Sequence, residues 1–145
     1  MKILVTGAKG FVGRNLCAEL KNRGFTDLYE YDLDTNPTLL EEYAHDCEFV
    51  FHLAGVNRPE NPEDFMRGNF GFTSNLLEAL KQHHNQCPIV LSSSIQAERN
   101  NEYGNSKRAG ERLLAEYGEQ TGAKVLIYRF PNLFGKWSRP NYNGV

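Results

Sequence analysis

Gly7, Gly10 and Gly13 separate a short apolar run from a helical pattern, and that placement constrains the chain more than any other feature. Ile3-Leu4-Val5 has the length and character of a buried strand, and it stops at Gly7. From Phe11 to Leu20 the apolar residues Val12, Leu16 and Leu20 recur at helical spacing. A strand that turns straight into a helix leaves backbone N–H groups and the positive helix end facing outward, which suits a pyrophosphate. Glycine is required because a Cβ would obstruct both the tight turn and the close approach of a phosphate. The turn reads G-x-x-G-x-x-G, whereas many dinucleotide-binding turns read G-x-G-x-x-G. Alone, such a triplet is ordinary turn chemistry. Asp32 supplies the context, standing 19 residues beyond Gly13 at the end of a second predicted strand, Asp27–Tyr31. A carboxylate there accepts hydrogen bonds from adenosine ribose hydroxyls, so the pair predicts a site for NAD or NADP. Asp32 repels a 2′-phosphate and favours NAD. Arg14 either reaches that phosphate, favouring NADP, or is a solvated residue of the first helical turn.

The same alternation continues along the chain. Leu39–Ala44 reads as a short helix and Phe49–Leu53 as a third strand ending in Ala54-Gly55. Phe65–His83 carries Phe72, Leu76, Leu77 and Leu80 on one helical face, and Pro88–Leu91 is a strand closing on Ser92-Ser93-Ser94. A helix from about Asn105 to Thr121 precedes a last strand, Val125–Arg129. Near-continuous apolar strands separated by helices predict an α/β fold, a Rossmann-like doubly wound parallel sheet. Its 145 residues fit one dinucleotide-binding domain, 1–145.

Composition excludes several other functions. A formal net charge of -2 lacks the basic footprint of a nucleic-acid partner, and no apolar run approaches a membrane span. The apolar start is too short for a signal peptide, and the three cysteines, Cys17, Cys47 and Cys87, are widely and irregularly spaced. They read as reduced thiols in a cytoplasmic protein. His83-His84 with Cys87 reads as a polar helix end, so no metal site is expected. His52 reads as a hydrogen-bonded core histidine, and Glu41-Glu42 and Glu111-Arg112 as solvated helix faces.

Tyr103-Gly104-Asn105-Ser106-Lys107 is Y-x-x-x-K, which on a helix places both side chains on one face. A lysine cation beside a phenol stabilises the phenolate and suits the tyrosine to acid–base work. A serine at the end of the preceding strand can hydrogen-bond the same substrate oxygen. Ser94 fits that role best and Ser93 is the second choice. Alone, Y-x-x-x-K is equally a partly exposed helix pair, but it follows the fourth predicted parallel strand, where ligands are expected to bind.

Thr6–Gly13, His52-Leu53-Ala54-Gly55, Ser92-Ser93-Ser94 and Tyr103…Lys107 together resemble the extended short-chain dehydrogenase/reductase family, the NAD-dependent epimerase/dehydratases. The resemblance implies hydride chemistry at a sugar carbon of a nucleotide sugar, with Ser94 polarising, Tyr103 as acid/base and Lys107 tuning Tyr103. It implies a cofactor, NADP or NAD, held by Gly7, Gly10, Phe11, Val12, Gly13, Asp32, Leu53, Ala54, Gly55, Ser92, Tyr103, Lys107 and Phe130. It also implies a homodimer in which the helices at Phe65–His83 and Asn105–Thr121 form a four-helix bundle with a second subunit.

Three longer strings narrow the likeness: His52–Pro59, Ser92–Ala97, and Pro131–Trp137 with Arg139–Asn143. They resemble the reductase domains of bifunctional capsular-polysaccharide enzymes, which reduce a 4-keto UDP-hexose with NADPH and carry a C-terminal metal-binding cupin. By that resemblance Asn132 contacts substrate or cofactor, and Arg58 and Arg139 meet the UDP phosphates; either arginine is equally readable as a surface loop charge. The chain departs from the family in a short Ser94-to-Tyr103 gap and in having no basic residue after Asp32. It also stops at Val145, before the family's substrate-binding region, so the domain is expected to be incomplete at its C-terminal end. The expected function is NAD(P)-dependent reduction of a nucleotide sugar. Alternatives are a 4-epimerase or dehydratase, a non-catalytic dinucleotide-binding module, and an inactive fragment.

Overall fold

A computed structural model describes residues 1–54, 70–94 and 102–130, together with their side chains except those of Ser94, Glu102, Tyr103 and Phe130. The described elements run β1 (Ile3–Thr6), α1 (Phe11–Asn22), β2 (Leu28–Tyr31), α2 (Thr38–Asp46) and β3 (Phe49–His52). They continue with α3 (Phe72–Gln82), β4 (Ile89–Ser94), α4 (Glu102–Thr121) and β5 (Val125–Phe130). The strands form one parallel sheet in the order β2-β1-β3-β4-β5. This is the expected Rossmann-like α/β fold.

The order explains where the helices lie. From β1 the chain steps one way to β2, and the three later crossovers step the other way. Right-handed crossovers therefore put α1 on one face and α2, α3 and α4 on the opposite face. Strand alternation feeds both faces. Ile3 and Val5 pack with Cys17 and Leu20 of α1, while Phe49 and Phe51 border the same cluster. Leu4, Val50, Ile89 and Leu91 join Leu40, Leu76, Leu80, Leu114 and Tyr117 in the larger core on the other side. The reversal falls between β1 and β3, where the carboxyl ends of a doubly wound sheet open a crevice.

Local chemistry refines three boundaries. The serine triplet belongs to β4, which pairs with β5 through Ser94↔Phe130. α4 begins at Glu102, three residues before its expected start, so Tyr103 and Lys107 share its first two turns. α3 ends at Gln82, and His84 takes a left-handed φ of 53° just past the cap. Residues 65–69, expected to open that helix, lie outside the described residues.

Cys17, Cys47 and Cys87 are free thiols, with the Cys47 and Cys87 sulfurs 3.9 Å apart. Among the described residues no helix is long and apolar enough to cross a membrane. Leu80 of α3 is fully buried in the larger core. Leu80→Ala should lower unfolding stability by about 2–5 kcal/mol, read as a lower urea midpoint at unchanged slope.

Candidate functional site

The carboxyl ends of β1, β2, β3, β4 and β5 share one edge of the sheet, because every pairing is parallel. The N-terminus of α1 stands at the same edge, and so does the start of α4. Each glycine of the turn between β1 and α1 has a different reason to be there. Gly7 has φ +69°, and a Cβ on it would stand 2.8 Å from Ala54 N and from the Leu53 carbonyl carbon. Gly13 is closed by the turn itself, since its Cβ would lie 2.1 Å from Gly7 O. Gly10 has neither constraint. It is exposed, and a Cβ there would make only an ordinary 3.4 Å contact with Gly7 O.

Gly10 is also the N-cap of α1, and no side chain caps the helix. The amides of the first turn are thus left without the side-chain acceptor that most helices supply, and no acidic residue occupies that turn. A small residue with open space above it and uncapped amides fits a phosphate-bearing ligand.

Asp32 follows β2 and lies at the same edge. Its carboxylate accepts the Lys9 amide at 2.7 Å through Oδ2 and the Leu33 amide at 2.7 Å through Oδ1. Asp32 therefore anchors the glycine turn to β2. Each oxygen keeps a second lone pair for a hydroxyl donor. The Lys9 ammonium pairs with Asp34, and Arg14 is exposed on the first turn of α1.

The end of β3 is locked to β1. Thr6 Oγ1 accepts the Leu53 and Ala54 amides at 3.1 and 3.2 Å and contacts His52 Nδ1 at 2.7 Å. With two N–H groups donating to it, the Thr6 hydroxyl donates its own proton to Nδ1. His52 consequently carries its proton on Nε2 and donates to Thr73 Oγ1 of α3 at 2.8 Å. His52 is fully buried, as expected of a core histidine, and burial together with the Lys107 charge pushes its pKa down to about 3.

On β4 the three serines separate. Ser92 is half-buried, while Ser93 is buried with its hydroxyl lacking a hydrogen-bond partner among the described residues. Ser93 lies beside the Glu111 carboxylate of α4, whose ionised form burial disfavours and Arg129 chiefly sustains. Lys107, one turn before Glu111, is pushed down to about 8 by burial, and the Glu111 charge opposes that shift.

Glu111 itself corrects the sequence reading. It is no solvated face but 9% exposed, and both its oxygens are held by Arg129 of β5, at 2.9 Å from Nε and 2.7 Å from Nη2. Arg112, its neighbour, is exposed as expected. The missed signal was the i, i+4 spacing from Lys107 combined with an arginine inside an otherwise apolar strand. Thr6 and Thr73 were also missed, because neither carries a motif.

Gly7, Gly10, Phe11, Val12, Gly13, Asp32, Leu53 and Ala54 are brought together around the β1–β3 junction. Lys107 and Ser92 belong to the adjoining part of the edge. Gly55, Arg58, Asn132 and Arg139 lie outside the described residues, as do the side chains of Ser94, Tyr103 and Phe130.

The family model described as the NAD dependent epimerase/dehydratase family matches residues 3–144. A UDP-2-acetamido-2,6-beta-L-arabino-hexul-4-ose reductase of Pseudomonas aeruginosa is 53% identical over 145 residues, covering 100% of this chain and 39% of the relative. The crystal structure of the capsular polysaccharide assembling protein CapF from Staphylococcus aureus superposes with a TM-score of 0.86 at 48% identity, covering 100% of this chain and 39% of that one. MoeE5, solved in complex with UDP-glucuronic acid and NAD, gives a TM-score of 0.82 at 27% identity, with 97% of this chain and 58% of that one covered. The chain thus spans only part of the length of the proteins it resembles.

Two consequences of this geometry are measurable. Gly13→Ala should cost at least about 2 kcal/mol, because its Cβ meets backbone, whereas Gly10→Ala should stay within about 1 kcal/mol. Paired urea titrations decide between them. His52 is neutral when folded and titrates near 6.5 when unfolded, so its contribution is complete above pH 6.5 and is lost progressively as pH falls toward 3. Denaturation at pH 7 and pH 5 should show that loss at a slope approaching 1.4 kcal/mol per pH unit, and His52→Gln should flatten it.

Proposed function

The chain belongs to the NAD dependent epimerase/dehydratase family, and within it we propose that it is the NAD(P)-binding part of a longer enzyme that reduces a 4-keto UDP-hexose. One observation carries the reading: the glycine turn, Asp32 and the start of the helix bearing Tyr103 and Lys107 open at a single edge of the sheet. A non-catalytic binding module would need the turn and Asp32 but not that helix pair. The reductase named above, similar over the whole of this chain, supports reduction and a surface-polysaccharide role.

The amides of the turn at Gly7, Gly10, Phe11, Val12 and Gly13 would hold a pyrophosphate, and Asp32 the adenosine ribose. Leu53, Ala54, Gly55, Ser92 and Phe130 would line the remaining length of the dinucleotide. When bound, the nicotinamide supplies a hydride to the carbonyl carbon of the sugar. Tyr103 delivers a proton to the carbonyl oxygen, so that the ketone becomes an alcohol. Ser94 donates a hydrogen bond to that oxygen; the enclosure of Ser93 beside Glu111 supports Ser94 over Ser93 for this work. Lys107 stabilises the tyrosinate left behind and binds the nicotinamide ribose hydroxyls. Arg58, Arg139 and Asn132 would meet the UDP-sugar.

A 4-epimerase would use the same groups and return the hydride to the sugar, so net consumption of the reduced cofactor distinguishes the two reactions. A second copy of the chain would pack on α3 and α4, between which Ser74, Leu77, Leu113 and Tyr117 line a shallow groove. Free thiols and a diffusible nucleotide-sugar substrate support a cytoplasmic location.

Titration of the chain with NADH and with NADPH, followed by nucleotide fluorescence, should saturate for at least one of them and weaken in Gly10→Ala. Preference for NADPH would mean that Arg14 outweighs Asp32 and Asp34; preference for NADH, the reverse. In the full-length enzyme Tyr103→Phe should lower kcat by about 10²–10⁴-fold while cofactor affinity is retained. Unchanged turnover would remove Tyr103 from the chemistry.

A further inference from the structure

Three elements converge on Glu111. It lies on α4, four residues beyond Lys107 and hence on the same helical face. Arg129 reaches it from β5 with two hydrogen bonds, at 2.9 and 2.7 Å, the fork geometry that fixes a carboxylate in both position and plane. Ser93 approaches it from β4 and stands directly opposite Arg129 in the strand register. Only the Glu111 end of this pair is buried while Arg129 stays exposed, and such a pair is weak evidence for stability. Its usefulness lies in placing a fixed negative charge one helical turn from a lysine whose charged form burial disfavours.

We propose that Glu111, clamped by Arg129, is a positioning residue that keeps Lys107 charged within the site. The proposal rests on the reading of Lys107 as a site residue, and it concerns that residue's charge in the ligand-free chain. The groups facing Lys107 set the balance. From β3 comes His52, held neutral by its burial and its bonds to Thr6 and Thr73, so it adds no opposing cation. Ser93 of β4 lies beside Glu111 and carries no charge, and Arg129 of β5 pairs with Glu111. Glu111 favours the ammonium against burial, and Lys107 titrates at about 8.

The sign is then fixed. Removing the Glu111 charge lowers the pH at which Lys107 loses its proton, and a neutral amine no longer stabilises the Tyr103 phenolate. The test is a pH titration of the chain labelled with ¹³C at the lysine ε-carbons, with the Lys107 signal assigned by its loss in Lys107→Met. Wild type should titrate near 8. Glu111→Gln should move the midpoint down by about one pH unit, and Glu111→Asp should restore part of the difference. The double substitution Glu111→Met with Arg129→Met replaces the pair by apolar volume and serves if Glu111→Gln does not fold. It should lower the midpoint likewise.

An unchanged Lys107 midpoint in either folded variant overturns the proposal, because a purely structural pair would leave it there. In the full-length enzyme the alkaline limb of kcat/KM should move to lower pH in Glu111→Gln, in step with the Lys107 midpoint. Failure of the wild-type chain to bind NADH or NADPH would count against the functional reading instead, since the lysine titration needs neither cofactor nor sugar.

Discussion

The contact between Gly7 and the end of β3 governs this structure. The turn after β1 lies so close to Leu53 and Ala54 that no side chain fits between them, and Gly7 holds a positive φ that few other residues adopt cheaply. Thr6 closes the same junction by accepting both of the Leu53 and Ala54 amides. Because the strand order reverses here, this junction sets the floor of the crevice and the aim of α1. Asp32 ties the other side of the turn to β2, so the glycine loop is held from two strands at once.

Polar groups inside the larger core are arranged around that junction and satisfy one another in sequence. Two backbone amides fill the Thr6 oxygen, which forces its proton onto His52 Nδ1 and fixes the ring tautomer. His52 then reaches Thr73, linking β1, β3 and α3 without any buried cation. The neutral ring lies within electrostatic reach of Lys107. A protonated imidazole there would compete with the lysine for the Glu111 carboxylate. The core histidine and the Glu111–Arg129 pair are thus two parts of one electrostatic arrangement, one withholding positive charge and the other supplying negative charge.

Local pattern made much of this legible in the sequence. Each short apolar run became a strand, and the glycine triplet between β1 and α1 announced the turn. Asp32 was placed by its distance from Gly13, and His52 was read correctly as a core residue. Boundaries were less legible. The serines extend β4 because parallel pairing with β5 satisfies their backbone groups, although serine itself has little strand preference. Glu111 was misread as solvated because a charged residue on a helix is usually exposed, and its partner lies on a strand 18 residues away.

The sequence by itself determined the fold class, the glycine turn and the helical spacing of Tyr103 and Lys107, since all three arise from residues close together in the chain. Tertiary structure decided which polar groups share an environment: Asp32 with the Lys9 amide, Thr6 with His52 and Thr73, Ser93 with Glu111 and Arg129. The physical reason is that desolvation and Coulomb interaction depend on distance in space. Strand order brings those groups together, and neither periodicity nor motif spacing encodes it directly.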